Sequence, residues 1–570
     1  MRETFRLSMA YLHTWLGLVV GFVLMTIFFF GSLSVFDREI DRWSVPETRV
    51  QAAPFPSFDK SVLPYIASVK PDPESVEHTA GEVIGALPPP DKLKPGDVTA
   101  YTNHRDPILR MYVAYDVPNK PRDPNLDHVH VYGYASVDPV TGKRLPDEVQ
   151  ERLAIGTGFF FPLHFMLHLE WMELGYWIVG FAGMVMLAAL VSGVVMHRKI
   201  FRELFTFRPG RARLRSTLDL HNMTGVMALP FLFVITVSGL LIFAYLYLPS
   251  PTSLMRPLAT AQQDAEAAST GLPVDPSGRP GQLASVDAMM AAAKARWAAQ
   301  GVPGEIGTVS LIHIGDADAY VSISRDNVDR VANPETLHFK GTTGALLYED
   351  PPASGIESVY GFFYGLHFQF FRHWTLRWLL FAGGLAGCAC IATGFLFFVA
   401  KRKAKHAAAG VPGARIAEAF AVASVTGMLV ATGAMLLGNR LLPTDLPGHT
   451  GWQEAIFWLS WVAALLHAGL RSRFGPGATA AEGLSPAWRE QAWLVSGLAA
   501  AAAIANWITT GDHIVKTVGD GYWPVAGLDL VLLATSAASG YAAIRLGARL
   551  RSARAVRVAE RAAGQEPAHV

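Results

Sequence analysis

Leu12-His13-Thr14-Trp15-Leu16-Gly17-Leu18 opens an apolar run that continues to Gly31 and Phe36, and Leu220-His221-Asn222-Met223-Thr224-Gly225-Val226 opens a second that continues to Gly239 and Phe243. The spacing from histidine to the second glycine is the same in both. At about 1.5 Å per helical residue it amounts to roughly 27 Å, close to the roughly 30 Å hydrocarbon thickness of a bilayer. Each run therefore reads as a spanning helix with its histidine at one end. The two imidazoles fall at matching depth on the same side of the membrane, placed to grip one metal or haem iron.

The match extends outward from these helices. A turn follows in each half, Asp138-Pro139-Val140-Thr141-Gly142 and Lys340-Gly341-Thr342-Thr343-Gly344. Next come Leu163-His164-Phe165 and Leu366-His367-Phe368. The helices after them share Trp177 with Trp378, Gly183 with Gly384 and Gly193 with Gly394 at equal spacing. The core reads as a duplicated unit of helix, external module and helix, and a parallel duplication favours a pseudo-twofold axis along the membrane normal. Residues from about 411 onward show no such echo.

A chain of 570 residues with long apolar runs and a formal net charge of +1 is an integral membrane protein too long for one domain. Apolar segments at about 10–36, 173–197, 221–247, 376–400, 414–437, 453–470, 490–510 and 524–546 predict eight spans. Basic residues gather between Arg198 and Arg215, from Lys401 to Lys405, and from Arg545 to Arg561. The positive-inside rule makes these segments and both termini cytoplasmic. Each cluster abuts an apolar run, so a nucleic-acid partner is not the reading. The first run follows Arg2 and Arg6 but is longer than a signal-peptide core and lacks a small-x-small cleavage site, so it reads as a retained helix. Cys388 and Cys390 lie in one apolar helix and read as packing residues.

Two polar insertions, about 37–163 and 248–366, fall on the external side. Each has a helix-like stretch, Ser57–Lys70 and Ser285–Gln300, followed by alternating strand-like runs such as Val98–Thr102, Leu109–Tyr115, Val129–Val137, Ile306–His313 and Ala319–Ser324. Two small α+β modules are expected, with turns and linkers at 88–95, 117–124 and Pro276–Gly281.

His13 and His221 form one repeat-related pair, His164 and His367 the other, one on each side of the bilayer. A single membrane histidine is well explained by lipid headgroups or water; four in two repeat-related pairs favour function. Zinc would need further Cys, Asp or Glu ligands that the helices do not offer, whereas haem needs two axial imidazoles and an apolar slot. Gly17, Gly21, Gly183, Gly193, Gly225, Gly384 and Gly387 are candidates to leave that space, though glycine in membrane helices also serves close packing. Six-coordinate iron suits electron transfer. His168, four residues after His164, shares its helical face and is a rival ligand. His373 does not share the face of His367, and His197 reads as interfacial. His449, His467 and His513, with His104, His128, His130, His313 and His338, read as structural or solvated. Phe165, Trp171, Phe368 and Trp374 would shield an outer site or form an interfacial belt.

On the four Leu-His motifs and the Asp138–Gly142 turn, the chain resembles the PepSY-associated transmembrane family over about residues 1–405, a family that includes inner-membrane ferric-siderophore reductases. The resemblance implies two b-type haems in the core, with His13, His221, His164 and His367 as axial ligands. It also implies reduction of ferric iron in a siderophore or other chelate at the periplasmic face of the bacterial inner membrane, with a cytoplasmic reductant or a quinol as donor. The Lys340–Gly344 turn lacks the Asp-Pro pair, and the four helices after about residue 410 are an addition to the short form of the family.

The expected architecture is an α-helical polytopic membrane protein of about eight transmembrane helices, with a duplicated four-helix core and two periplasmic α+β PepSY-like modules. By residues, this is a first helix over 1–36, modules over 37–163 and 248–366, second and third helices over 164–247, a fourth over 367–405, a C-terminal four-helix membrane extension over 406–548 and a basic tail over 549–570. The alternatives are a siderophore or peptide permease and a PepSY-based periplasmic binding or regulatory protein.

Overall fold

The structure is a computed structural model that describes residues 2–72, 89, 92–116, 130–147, 149, 152–196, 213–247, 269–273, 275–326, 331, 335–352, 355–369, 371–472 and 484–563. The basic stretch Arg198–Arg211, His197, His128 and the segment 117–124 lie outside the described residues. The chain forms two compact units. One comprises Met1–Pro46, Leu153–Tyr247 and Trp374–Val570, and the other Glu47–Arg152 and Leu248–His373.

The first unit is helical. Its main helices are α1 (Arg2–Val19), α2 (Gly21–Ser34), α3 (Asp37–Ser44), α4 (Phe161–Phe165), α5 (Leu174–Met196), α6 (Arg213–Met227) and α7 (Leu229–Ile242). They continue with α8 (Trp374–Ala408), α9 (Gly413–Val422), α10 (Met428–Leu441), α11 (His449–Arg471), α12 (Pro486–Thr510) and α13 (Trp523–Ala563). Among the described residues, five helical stretches are long and apolar enough to cross a membrane, and the number rises to seven if the bent pairs α1/α2 and α6/α7 each count as one span. The remaining expected segment, the sixth (453–470), is helical as α11, but Gln453, Glu454 and His467 dilute its apolar run.

The straight spans expected to start at His13 and His221 are each bent, by 62° between α1 and α2 and by 59° between α6 and α7. Pro230, in the first turn of α7, has no N–H to continue the helical ladder and accounts for the second bend. At the first, Gly21 lets α8 approach, because a Cβ there would come 2.9 Å from the Phe395 ring.

The C-terminal helices share the core of this unit. Phe457 on α11 is fully buried, its ring centroid 5.8 Å from that of Phe30 and 4.9 Å from that of Phe159. Trp43 Nε1 donates to Asp529 Oδ1 at 2.8 Å, and Arg440 Nη2 donates to the Trp43 carbonyl at 2.7 Å with its guanidinium over the indole. Burying such polar groups is tolerated only because they are paired.

The second unit holds a seven-stranded antiparallel sheet, β1 (Lys94–Asn103), β2 (Asp106–Asp116), β3 (His130–Val137), β4 (Ile306–Ile312), β5 (Tyr320–Arg325), β6 (Thr336–Lys340) and β7 (Leu346–Glu349), in the order β3-β2-β1-β4-β5-β6-β7. The two insertions read as separate modules thus share one sheet, joined where Val98 pairs with Leu311 and Tyr101 with Thr308. Strand alternation sends Val98, Ala100, Leu109, Met111, Val309, Leu311, Val321 and Ile323 to one face, where they form a core with Phe58 and the helix Val286–Ala299. The other face carries Thr99 and Ser310, hydrogen-bonded across the joint at 2.8 Å.

The stretch Ser57–Lys70, expected as one helix, is a short helix Phe58–Ser61 and a 3-10 segment Leu63–Ser68, interrupted ahead of Pro64. The two turns are alike despite their sequences: Gly142 N donates to the Asp138 carbonyl at 2.8 Å and Gly344 N to the Lys340 carbonyl at 2.7 Å, both glycines at positive φ. The turn backbone requires the glycine, and the Asp-Pro pair is dispensable to it.

Candidate functional site

Two of the four histidines come together. The rings of His13 on α1 and His221 on α6 lie with centroids 6.1 Å apart and planes at 75°. Each ring is fixed from behind. His13 Nδ1 is 3.0 Å from the Ala189 carbonyl oxygen on α5, and His221 Nδ1 is 2.8 Å from the Cys390 carbonyl oxygen on α8. A carbonyl only accepts, so Nδ1 carries the proton in both rings and Nε2 keeps its lone pair. Among the described residues neither Nε2 has a hydrogen-bond partner. A backbone partner on one nitrogen that leaves the other to bind is the second-shell arrangement of histidine metal ligands.

Ala189 and Cys390 each precede a glycine by four residues, Gly193 and Gly394, and those glycines lie against the same imidazoles. A Cβ at Gly193 would be 3.4 Å from His13 Cε1, and one at Gly394 3.3 Å from His221 Cε1. The residue before each glycine supplies a hydroxyl to the same carbonyl: Ser192 Oγ donates to Ala189 O at 3.1 Å and Thr393 Oγ1 to Cys390 O at 2.9 Å. The seat for a histidine is thus a helical carbonyl with a glycine one turn on, whose missing side chain lets the ring lie close.

His164 has a seat of the same kind. It lies on α4, and its Nδ1 is 2.8 Å from the Ile27 carbonyl oxygen on α2. Gly31 follows four residues later, and a Cβ there would clash with the His164 ring at 2.6 Å. Ile235-Thr236-Val237-Ser238-Gly239 on α7, the repeat counterpart of Ile27–Gly31, has the same local build, with Ser238 Oγ donating to Ile235 O at 3.0 Å. His367 belongs to the second unit, near the end of the helix Gly355–Phe368, its ring beside Phe368.

His168 does not share the face of His164. The helix ends at Phe165, and Leu167 and His168 have positive φ, so the four-residue helical spacing does not apply. Its Nε2 lies 2.9 Å from the Phe159 carbonyl oxygen and its ring stacks on Phe159. That is the tautomer opposite to the one the seats impose.

The segment carrying His164 is held by an acid. A π-helix, Ile155–Phe160, runs into α4, and Asp41 on α3 accepts from Gly156 N at 2.7 Å, Thr157 N at 3.1 Å and Thr157 Oγ1 at 2.6 Å. Burial raises the Asp41 carboxyl to about 6, against the lowering effects of Arg38 and Thr157.

Most of the glycines singled out as space for a macrocycle serve helix packing instead: Gly21 faces Phe395, Gly183 Leu240, Gly384 Ser32, and Gly387 Leu232 and Phe28. Gly17, one turn beyond His13, faces open space. Trp171 and Trp374 are exposed, as the belt reading has it. Sequence reading gave Ala189, Cys390, Ile27, Gly31 and Asp41 no part in the site, and took Cys390 as a packing residue. The available signal was the small-x-x-hydroxyl-Gly pattern at Ala189–Gly193 and Cys390–Gly394.

The donor set fits a haem. Two metal–nitrogen bonds of about 2 Å and two imidazole radii of roughly 1.1 Å put bis-histidine ring centroids about 6 Å apart, as found for His13 and His221. Among the described residues no three His, Cys, Asp or Glu side chains converge as a metal site, which is the donor set zinc would call for.

Residues 10–401 match the family described as the PepSY-associated TM region. A relative, an uncharacterised protein of Pseudomonas aeruginosa, is 27% identical over 373 residues, which are 62% of this chain and 86% of the relative. With its apolar helices and this match over more than half its length, the chain belongs to the PepSY-associated transmembrane family.

Proposed function

We propose that the protein is a di-haem electron-transfer protein of the bacterial inner membrane that reduces ferric iron in a siderophore or other chelate at the periplasmic face, releasing Fe(II) for uptake. The observation that carries this reading is the His13–His221 pair, held 6.1 Å apart by carbonyls at equivalent places in the repeat. His13 and His221 hold the inner haem; His164 holds the outer one, with His367 as its repeat counterpart. Haem supplies one-electron chemistry between ferric and ferrous iron.

The protein's own residues do the positioning. Ala189, Cys390 and Ile27 fix the tautomers, so the imidazoles present Nε2 without rearrangement when the iron changes charge. A fixed, apolar site costs little reorganisation, which suits electron transfer. No side chain need give or take a proton in reduction of the chelated iron. Hard oxygen chelators hold Fe(III) far more strongly than Fe(II), so reduction alone loosens the metal.

The test is the visible spectrum of the detergent-purified protein, oxidised and dithionite-reduced, with haem quantified per chain as the pyridine haemochromogen. Sharp reduced b-type bands with close to two haems per chain, reoxidised by ferric chelate, are expected. Full-length protein made with ample haem yet lacking a Soret band would sink the reading.

A further inference from the structure

The reading above leaves the electron donor open, and the C-terminal helices carry a polar cluster that the histidine seats do not use. His467 Nε2 on α11 is 3.0 Å from Glu490 Oε2 on α12, and Arg471 Nε donates to the same oxygen at 2.8 Å. The far side of the imidazole is also fixed: buried Gln491 lies with Nε2 3.3 Å from His467 Nδ1, and its Oε1 accepts from Thr426 Oγ1 at 2.7 Å. Thr426 sits in the π-turn Ala423–Gly427 between α9 and α10, and such turns recur at functional sites.

Position gives the cluster its meaning. His467 and Glu490 are only partly covered, 36% and 38% exposed, and their neighbours on α11, Leu466 and Leu470, are more than 60% exposed. The pair is therefore reached across an exposed apolar surface, which suits an apolar ligand. On its inner side, Ala468 belongs to the same packed cluster as Phe395, and Phe395 follows Gly394, which seats His221. The helix that carries His467 and the helix that seats His221 thus share one packed core.

We propose that His467 and Glu490 form the oxidation site for a lipid-soluble hydroquinone, the electron donor to the inner haem. This rests on the di-haem reading. The hydroquinone loses two O–H protons and two electrons and becomes the quinone. The electrons would pass one at a time to the haem iron that His13 and His221 would hold, and the protons leave one at a time through the Glu490 carboxylate, which His467 Nε2 hydrogen-bonds, to the water at that end of the helices. Arg471 holds the Glu490 carboxylate in place, and Gln491 with Thr426 keeps the imidazole oriented.

The experiment adds decylubiquinol to the oxidised, detergent-purified full-length protein and follows the reduced haem bands by stopped flow. Wild type is expected to reduce quickly, and Glu490→Gln and His467→Gln at least about 100-fold more slowly, the scale of lost acid–base assistance. Dithionite should reduce all three completely, which shows that the variants are folded and loaded. Wild type that dithionite reduces but decylubiquinol does not, or variants that match wild type with decylubiquinol, overturns the proposal and leaves the di-haem reading standing. Protein with no haem bands overturns both.

Discussion

Ala189 and Cys390 hold the same office toward two different histidines. The Ala189 carbonyl accepts from His13 Nδ1 at 3.0 Å and the Cys390 carbonyl from His221 Nδ1 at 2.8 Å, each with a glycine one turn later against the ring. The contact is made by backbone, so it survives a change of side chain at the carbonyl position, while the glycine leaves room for the ring.

Gly31→Ala tests the glycine half of that statement. The added methyl would lie 2.6 Å from the His164 ring, nearer than carbon atoms approach, so the imidazole must leave its seat. One of the two haems is expected to be lost or to become high-spin, read as a halved haemochromogen and a changed reduced spectrum. Gly497→Ala on α12, where nothing lies within 4 Å, should leave the spectrum unchanged and add up to about 1 kcal/mol of helix stability.

Cys390→Ala tests the carbonyl half. It removes a thiol 3.6 Å from His221 Nδ1 and leaves the carbonyl, giving α8 the residue that α5 already has at Ala189. Haem content per chain should equal wild type. A large loss would show that the thiol, rather than the backbone, holds His221.

Asp41 makes stability depend on pH in the reverse of the usual carboxylate direction. Its folded pKa, about 6, lies above the ordinary 3.8, chiefly through burial. Between about pH 4 and 6 the folded chain holds a proton that the unfolded chain has released. Stability should therefore fall as pH rises through that window, by about 3 kcal/mol at most. Asp41→Asn keeps an acceptor for Gly156 N and Thr157 N and removes the titration. A thermal midpoint flat over this window in the variant, against a declining one in wild type, is the expected result.

Much of this arrangement was legible in the sequence, and the misses have physical causes. The His13–His221 pairing follows from equal spacing in a repeat, which fixes depth and face together. The helical face expected to be shared by His164 and His168 is absent because that spacing presumes an unbroken helix, and the one that carries His164 ends at Phe165, before the positive φ of Leu167 and His168. The bends at Val20 and Ala228 were hidden because each falls inside one continuous helical run; only Pro230 marked one of them. The joining of two modules into one sheet depends on the pairing of β1 with β4, a contact between distant segments that no local pattern encodes.

Asp59 and Asp287 supply a test of the sheet unit. Asp59 accepts from Val286 N at 3.0 Å and Ser285 Oγ at 2.7 Å, while Asp287 accepts from Phe58 N at 2.7 Å and from Ser57 Oγ. Each helix start is capped by the acid of the other, so the two insertions lock reciprocally. Either alanine variant should cost about 1 kcal/mol, and the double variant less than the sum because both act at one joint. Urea unfolding monitored by the buried Trp297 reads both quantities.

Removing the C-terminal extension tests whether it is an added domain or part of the core. A chain ending after Lys405 would strip Asp529 from Trp43 Nε1 and Arg440 from the Trp43 and Ser44 carbonyls, removing buried hydrogen bonds. Each costs about 1–3 kcal/mol. It would also uncover Phe30 and Phe159, against which Phe457 packs, next to the π-helix that leads to His164. The truncated protein should aggregate on size-exclusion chromatography or lose its outer haem first. A monodisperse truncated chain with two haems would show that the extension is a separable domain, and the single variant Phe457→Ala should then be equally harmless. If the extension is part of the core, Phe457→Ala alone should destabilise by about 3–5 kcal/mol.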